Sequence, residues 1–186
     1  MSVRRALVAV VLLLTFTPPA SAAPQWSAEV GDARQVIVVT SPSWRSSYAV
    51  LRAYGLDASG TWRLRMGPWP ARVGYAGMAP EATRRQDTGT TPAGTFRLLY
   101  GFGSRPDPGT RLDRYRRIDG NDWWPYDPRD ASTYNVLQRS RSPKARWRPG
   151  EAERLMHWGS DAYRYSVVID YNLPSDVHWD PRTRAT

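Results

Sequence analysis

The chemistry open to this 186-residue sequence is bounded first by the absence of cysteine. Without a thiol the chain can form no disulfide, no thiolate metal site and no cysteine nucleophile. It has two histidines. His157 stands in a segment that we predict to be helical, where a surface or packing role is expected. His178 lies close to the end of the sequence and is considered below.

Acidic and aromatic residues are concentrated between Asp119 and Asp130, in the stretch DGNDWWPYDPRD. A calcium loop needs alternating oxygen ligands with a glycine in the middle, and the tryptophan pair interrupts that spacing. We therefore predict no metal site and no cofactor. Trp123, Trp124 and Tyr126 suit either of two roles: a stacking platform for sugar rings, or packing of a long loop onto a sheet.

The chain is strongly basic, with a formal net charge of +9 that is almost all arginine, since Lys144 is the only lysine. Such a protein is attracted to anionic polymers and surfaces. The densest basic run, RSPKARWRPGE at 141–151, is either a patch for an anionic polymer or a solvated loop. Nucleic acid is disfavoured as a partner, because the arginines are spread along the chain and no zinc finger, phosphate loop or dinucleotide fingerprint occurs.

The first 22 residues have the pattern of a signal peptide. Arg4 and Arg5 precede an apolar run over residues 6–16, which is too short to span a bilayer as a helix, and small residues follow at 20–22. Cleavage is expected after Ala22. This predicts an exported protein that meets the membrane only through this segment, with residues 23–186 forming one domain. The alternative is an uncleaved membrane anchor.

Patterns typical of β-strands dominate the sequence. The predicted strands share short β-branched or alternating patterns and cover residues 35–40, 47–54, 61–66, 71–78, 95–102 and 164–171. A hairpin turn is predicted at 57–60. The last strand has an apolar centre that suggests a central position. One helix is predicted at 150–158, where two acids open the segment and Gly159 stops it. Between residues 104 and 150 a long irregular insertion is expected.

Several ordered segments resemble the L,D-transpeptidase catalytic domain family (the YkuD type), which cross-links bacterial peptidoglycan. The segments are VGYAGM at 73–78, DTGTTPAGTF at 87–96, GFG at 101–103 and YRYSVVIDYN at 163–172. The resemblance implies a β-sandwich and a peptidoglycan stem peptide as substrate. The candidate residues of a substrate groove are Tyr75, Tyr171 and Asn172 from these segments, with Trp123 and Trp124 from the aromatic stretch described above.

The turn before the strand at 95–102 has a local explanation. Pro92 fixes its own φ and pushes Thr91 towards an extended shape, while Gly89 and Gly94 permit left-handed or closely approached backbone. We therefore expect a tight, rigid turn in this segment. The resemblance implies the same supporting role, without part in the chemistry.

The family's reaction is acyl transfer through a cysteine thiolate, which a nearby histidine activates and backbone N–H groups assist. The resemblance implies that the segment with the catalytic histidine and cysteine should follow Asn172. Here LPSDVHWDPRTRAT follows, with neither cysteine nor glycine. His178 lies roughly where the family's first histidine is expected, but Val177 and Trp179 do not match. We therefore assign no catalytic residue and expect no transpeptidase activity.

Two histories fit this ending: a truncated or frameshifted L,D-transpeptidase, or a relative without catalytic function that still binds wall peptide. In the first case the strand at 164–171 would lack a neighbour, which would expose a sheet edge and reduce solubility. A secreted cell-wall or glycan-binding β protein is the alternative from another class. The expected partners are stem peptides or anionic wall polymers.

Overall fold

A computed structural model describes residues 23–112, 114–139, 145–156 and 162–174. Over these ranges the chain is mainly β, as predicted, with eleven strands and two short 3₁₀ turns, Gln25–Ala28 and Pro149–Glu151. No helix in this part of the chain is long and apolar enough to cross a bilayer. The predicted signal peptide at 1–22, His157 and His178 all lie outside the described residues.

The first sheet is an antiparallel meander of β1 (Gln35–Thr40), β2 (Tyr48–Leu56) and β3 (Trp62–Arg72). The turn between β2 and β3 forms because the Asp57 carboxylate accepts hydrogen bonds from the backbone N–H groups of Ser59 (3.0 Å) and Thr61 (2.9 Å). The hairpin turn predicted at 57–60 is confirmed.

The strand predicted at 71–78 is wrong. β3 itself continues to Arg72, and a turn closed by a bridge between Gly74 and Gly77 follows it. β4 is only Met78–Pro80, and it pairs in parallel with β5 (Thr91–Ala93). The glycines that sequence patterns count as strand positions here serve the turn, because Gly77 has a φ of +88°.

The second sheet has β6 (Leu98–Gly103) at its centre. β11 (Ser166–Ile169) pairs antiparallel on one side, and β7 (Tyr115–Arg117) pairs in parallel on the other. β11 was predicted to be central, and it is an edge strand among the described residues. Its apolar centre has another cause: Val168 is buried in the core, whereas Val167 is 47% exposed.

The third sheet overturns two predictions. β8 (Asp122–Pro125) lies between β9 (Gln138–Arg139) and β10 (Ala152–Arg154). β10 stands where the helix at 150–158 was predicted, and the insertion at 104–150 supplies three strands and is not simply irregular. Cross-strand pairing of Glu153 with Trp124 outweighs the local helix signal.

The main core joins the second and third sheets. Its buried cluster takes Phe102 and Val168 from β6 and β11, and Ile118 and Leu155 from the residues that follow β7 and β10. Trp124 of β8 packs against this cluster. The insertion therefore contributes directly to the stability of the fold, because Ile118 belongs to this buried cluster and Trp124 packs against it.

Candidate functional site

A largely apolar groove runs along β11, between the second and third sheets. We call it the β11 groove; its volume is about 380 Å³. Its lining combines β11 with core side chains and the residues that follow the strand: Phe102, Trp124, Glu153, Leu155, Tyr163, Ser166, Val167, Val168, Ile169, Tyr171 and Leu173. An apolar groove beside a sheet edge suits an extended chain, because strand backbone and side-chain pockets lie together.

Glu153 is the one charged side chain among the described residues that line the groove. Its carboxylate accepts a hydrogen bond of 2.6 Å from the Tyr163 hydroxyl. Burial, and after it the nearby carboxylate, raises the pKa of Tyr163 above its ordinary value. Tyr163 therefore stays protonated as a donor, and the groove carries a single negative charge within a basic protein.

Three of the five predicted groove residues lie in or beside this groove. Trp124 stacks on Phe102 with ring centroids 6.1 Å apart. Tyr171 is 2% exposed, and its hydroxyl donates to the Glu81 backbone carbonyl at 3.2 Å. Asn172 follows directly, fully buried with a φ of +51°, and its carbonyl accepts from the Asn135 side chain at 3.0 Å. Tyr171 and Asn172 thus anchor the end of β11 to other segments.

The other two predicted residues lie elsewhere. Trp123 points away from the groove because neighbouring residues of a strand face opposite sides. Its ring packs on Trp147, with centroids 5.7 Å apart, and lies near the Arg154 guanidinium. Trp123 and Trp124 therefore do not form one stacking surface. Tyr75 is 83% exposed and its ring covers Gly89, which has a φ of +64°.

A buried arginine near the end of β11 was not anticipated. Arg84 is 6% exposed, its Nε donates to the Thr90 carbonyl at 2.6 Å, and its Nη1 has no hydrogen-bond partner in the described part of the chain. Burial lowers the pKa of Arg84. Burial also raises the pKa of the neighbouring Tyr134 to about 12. Arg84 and Tyr134 therefore bring a guanidinium group and a hydroxyl group together near the turn that precedes β5.

A second, more open hollow lies at one end of the first sheet, with a volume of about 550 Å³. Arg34 and Arg65 line it together with Gln35, Gly55 and Leu56. Its two guanidinium groups give it the opposite charge to the β11 groove. It suits an anionic group, because arginine donates in pairs to carboxylate and phosphate oxygens.

No group of three or more potential metal ligands occurs within the ranges that the structure describes. No family profile, no curated protein and no solved structure matches the chain significantly. Among the described residues, the β11 groove supplies an apolar lining, a strand edge to which no described strand pairs, and one carboxylate.

Proposed function

We propose that the chain is an exported L,D-transpeptidase-like protein of the bacterial cell wall, which binds peptidoglycan stem peptide in the β11 groove. The proposal includes a signal peptide at 1–22, a sandwich arrangement of the second and third sheets, and a location in the wall. Its main support is one coincidence. The segment 163–172, which resembles the family's strand before the active site, is the segment that borders the groove.

The groove's chemistry fits a peptide with a free side-chain amine. Backbone pairing at the open edge of β11 would hold an extended chain, and the apolar lining would accept its alanine methyl groups. The Glu153 carboxylate would face the amine, already held in position by the Tyr163 hydroxyl.

We propose binding without acyl transfer by this chain. The 186 residues contain no cysteine, so no thiolate is available to attack a stem-peptide carbonyl. Loss of a nucleophile in a comparable acyl-transfer system lowers kcat by roughly a millionfold. Incubation with a stem tetrapeptide should therefore leave the protein mass unchanged, and a covalent acyl adduct would contradict this part of the proposal.

Calorimetric titration tests the binding itself. We expect the full chain to bind a wall tetrapeptide that carries a free amine, and to bind the acetylated form about tenfold more weakly. Glu153→Gln should remove that discrimination. Val167→Lys, at the groove, should weaken binding, whereas Leu98→Lys is a matched control because Leu98 is similarly exposed (43% against 47%) and does not line the groove. Absence of binding by the unaltered chain would overturn the proposal.

A secreted protein that binds anionic wall polymers is the second candidate function. The hollow lined by Arg34 and Arg65 favours it, together with the basic charge of the whole chain. The two functions use different surfaces and opposite charges, so peptide and polymer binding can be measured separately.

A further inference from the structure

The outer edge of the first sheet is a regular strand without charge. β1 reads QVIVVT, with no glycine, proline or ionisable residue. It pairs with β2 over all six residues without a register shift, and in the part of the chain that the structure describes no strand pairs with its other side. Ile37 is 50% exposed and Val39 is 38% exposed. An edge with these properties is a template for a further strand.

The other described edges are less suited than β1 to pairing with a second copy of the chain. β3 has two prolines and several arginines, and its register with β2 is interrupted. β7 ends in two arginines, and β9 and β10 contain charged residues. β11 is uncharged, but its register with β6 shifts between Val167 and Ile169, and its edge is the one proposed above to bind peptide. β4 and β5 are uncharged, but each has three residues including a proline. β1 alone among the described edges combines regular pairing over six residues with a sequence free of charge and proline.

We propose that two copies of the chain pair through antiparallel β1 strands to form a continuous six-stranded sheet. A two-fold axis perpendicular to the sheet keeps equivalent faces on the same side. The register that matches the exposed apolar residues sets Ile37 opposite Val39 of the second copy, and Val38 opposite its own equivalent. These are cross-strand pairs of β-branched residues, which stabilise sheets.

The composition of β1 favours a second copy as the occupant, because two such strands pair without setting one arginine against another. Two chains of net charge +9 repel each other, so they approach best where the strand carries no arginine. Cross-strand pairing puts Ile37 in one row with Met66, and Val39 in one row with Trp69. Met66 is 55% exposed and Trp69 is 51% exposed. Within these two rows, only Ile37 and Val39 would touch the second copy, because Met66 and Trp69 lie two strands away from the edge.

The dimer should be weak. Six paired residues bury well under the roughly 1,600 Å² of a standard stable interface, so association should depend on concentration. Sedimentation equilibrium of the full chain, over about a hundredfold range of concentration, should therefore show a monomer–dimer equilibrium. A monomer throughout that range would overturn the proposal.

Two pairs of variants locate the contact. Ile37→Lys should weaken dimerisation by about tenfold because the change enters the interface twice. Met66→Lys makes the same change on the same face, away from the edge, and should leave dimerisation unaltered. Since the chain has no cysteine, Val38→Cys should form a disulfide-linked dimer under mild oxidation, because antiparallel partners have Cα atoms within disulfide range. Met66→Cys is its control.

The outcomes separate cleanly. Circular dichroism shows whether each variant folds, and the unaltered chain needs no such check. If Val38→Cys and Met66→Cys cross-link equally, or if Ile37→Lys and Met66→Lys weaken the dimer equally, β1 is not the interface.

Discussion

Buried acids, each held by donors from arginine residues, are the most distinctive feature at the scale of single residues. The Asp127 side chain has no exposed surface and accepts hydrogen bonds from the Arg129 guanidinium at 2.5 to 3.1 Å. The backbone N–H of Arg148 donates to it at 2.9 Å. Asp130 accepts from the backbone N–H of Arg146 at 3.1 Å. Part of the basic run at 141–151 therefore stabilises the insertion.

Asp127 should make the free energy of unfolding depend on pH in the acidic range. Hydrogen bonds from Arg129, followed by those of the backbone, hold the pKa of this carboxyl well below its ordinary value. Because the pKa is lower in the folded state, the stabilisation is complete above the unfolded pKa of about 3.9. It is lost as the pH falls from there towards the folded pKa.

Asp127→Asn should lower the free energy of unfolding at neutral pH by about 2 kcal/mol, because it leaves the buried site without its charge. It should also flatten the pH dependence of stability below about pH 4. Urea unfolding at a series of pH values measures both. Asp32→Asn is the control, since Asp32 is exposed. Equal effects of the two substitutions would contradict the assigned role of Asp127.

At the scale of elements, the turn before β5 depends on one glycine. Gly89 has a φ of +64°, and a Cβ at this position would overlap the Tyr75 ring. Gly31 has a similar φ of +55° with open space around it. Replacing either glycine with alanine puts a side chain on left-handed backbone, which destabilises the fold by a similar amount at both positions. Only at Gly89 does a steric conflict add to this.

Gly31→Ala should therefore cost about 1 kcal/mol of unfolding free energy, and Gly89→Ala about 1 kcal/mol more. Adding Tyr75→Ala to Gly89→Ala should recover most of the difference, since it removes the ring that the new methyl group meets. Thermal unfolding is measured for Gly31→Ala, Gly89→Ala, Tyr75→Ala and the double variant. The last three complete a double-mutant cycle with the unaltered chain. If the double variant is no more stable than Gly89→Ala, then the Tyr75 ring is not the cause.

Elements with local signals were predictable, and elements set by distant pairing were not. β1, most of β2 and the turn at Asp57 follow from a β-branched run, from the apolar face of the β2 segment and from turn-forming residues, which are signals that act over a few residues. The segment around β10 contains acidic residues and is followed by a glycine, a pattern typical of a helix. β10 nevertheless pairs with β8, which lies about thirty residues earlier in the chain. No pattern within one segment of a sequence encodes that partner.

The residues of the candidate site show the same difference between local signals and distant pairing. Trp124 and Tyr171, which their segments suggested as candidates, line the groove, and Asn172 directly follows Tyr171. Glu153 and Tyr163 were missed because their meeting depends on β10 being a strand beside β8. Trp123 was misplaced because the period of two along β8 sends it to the opposite face.

At the scale of the whole molecule, two surfaces of opposite charge divide the proposed binding roles. The β11 groove carries one carboxylate, and the hollow on the first sheet carries Arg34 and Arg65. Pairing through β1 would place two copies of each surface on one particle. A repeating wall polymer could then engage both copies, which raises the overall affinity without any new contact.

Salt should separate the two binding modes. Between about 0.1 M and about 1 M salt the Debye length falls from roughly 10 Å to roughly 3 Å, so exposed arginines lose most of their attraction for a polyanion. We expect affinity for an anionic polyphosphate-type wall polymer to fall at least about tenfold over this range. Binding of the tetrapeptide should change much less, because the groove that holds it is largely apolar and carries a single charge.

Paired substitutions decide whether the hollow or the net charge carries the polymer. Arg34→Ser with Arg65→Ser removes two charges at the hollow, and Arg45→Ser with Arg85→Ser removes two from exposed positions outside it. The first pair should weaken polymer binding more, since only it takes away donors that converge on one anionic group. Equal weakening would assign the binding to overall charge, and salt-independent binding would exclude a polyanion as the partner of this surface.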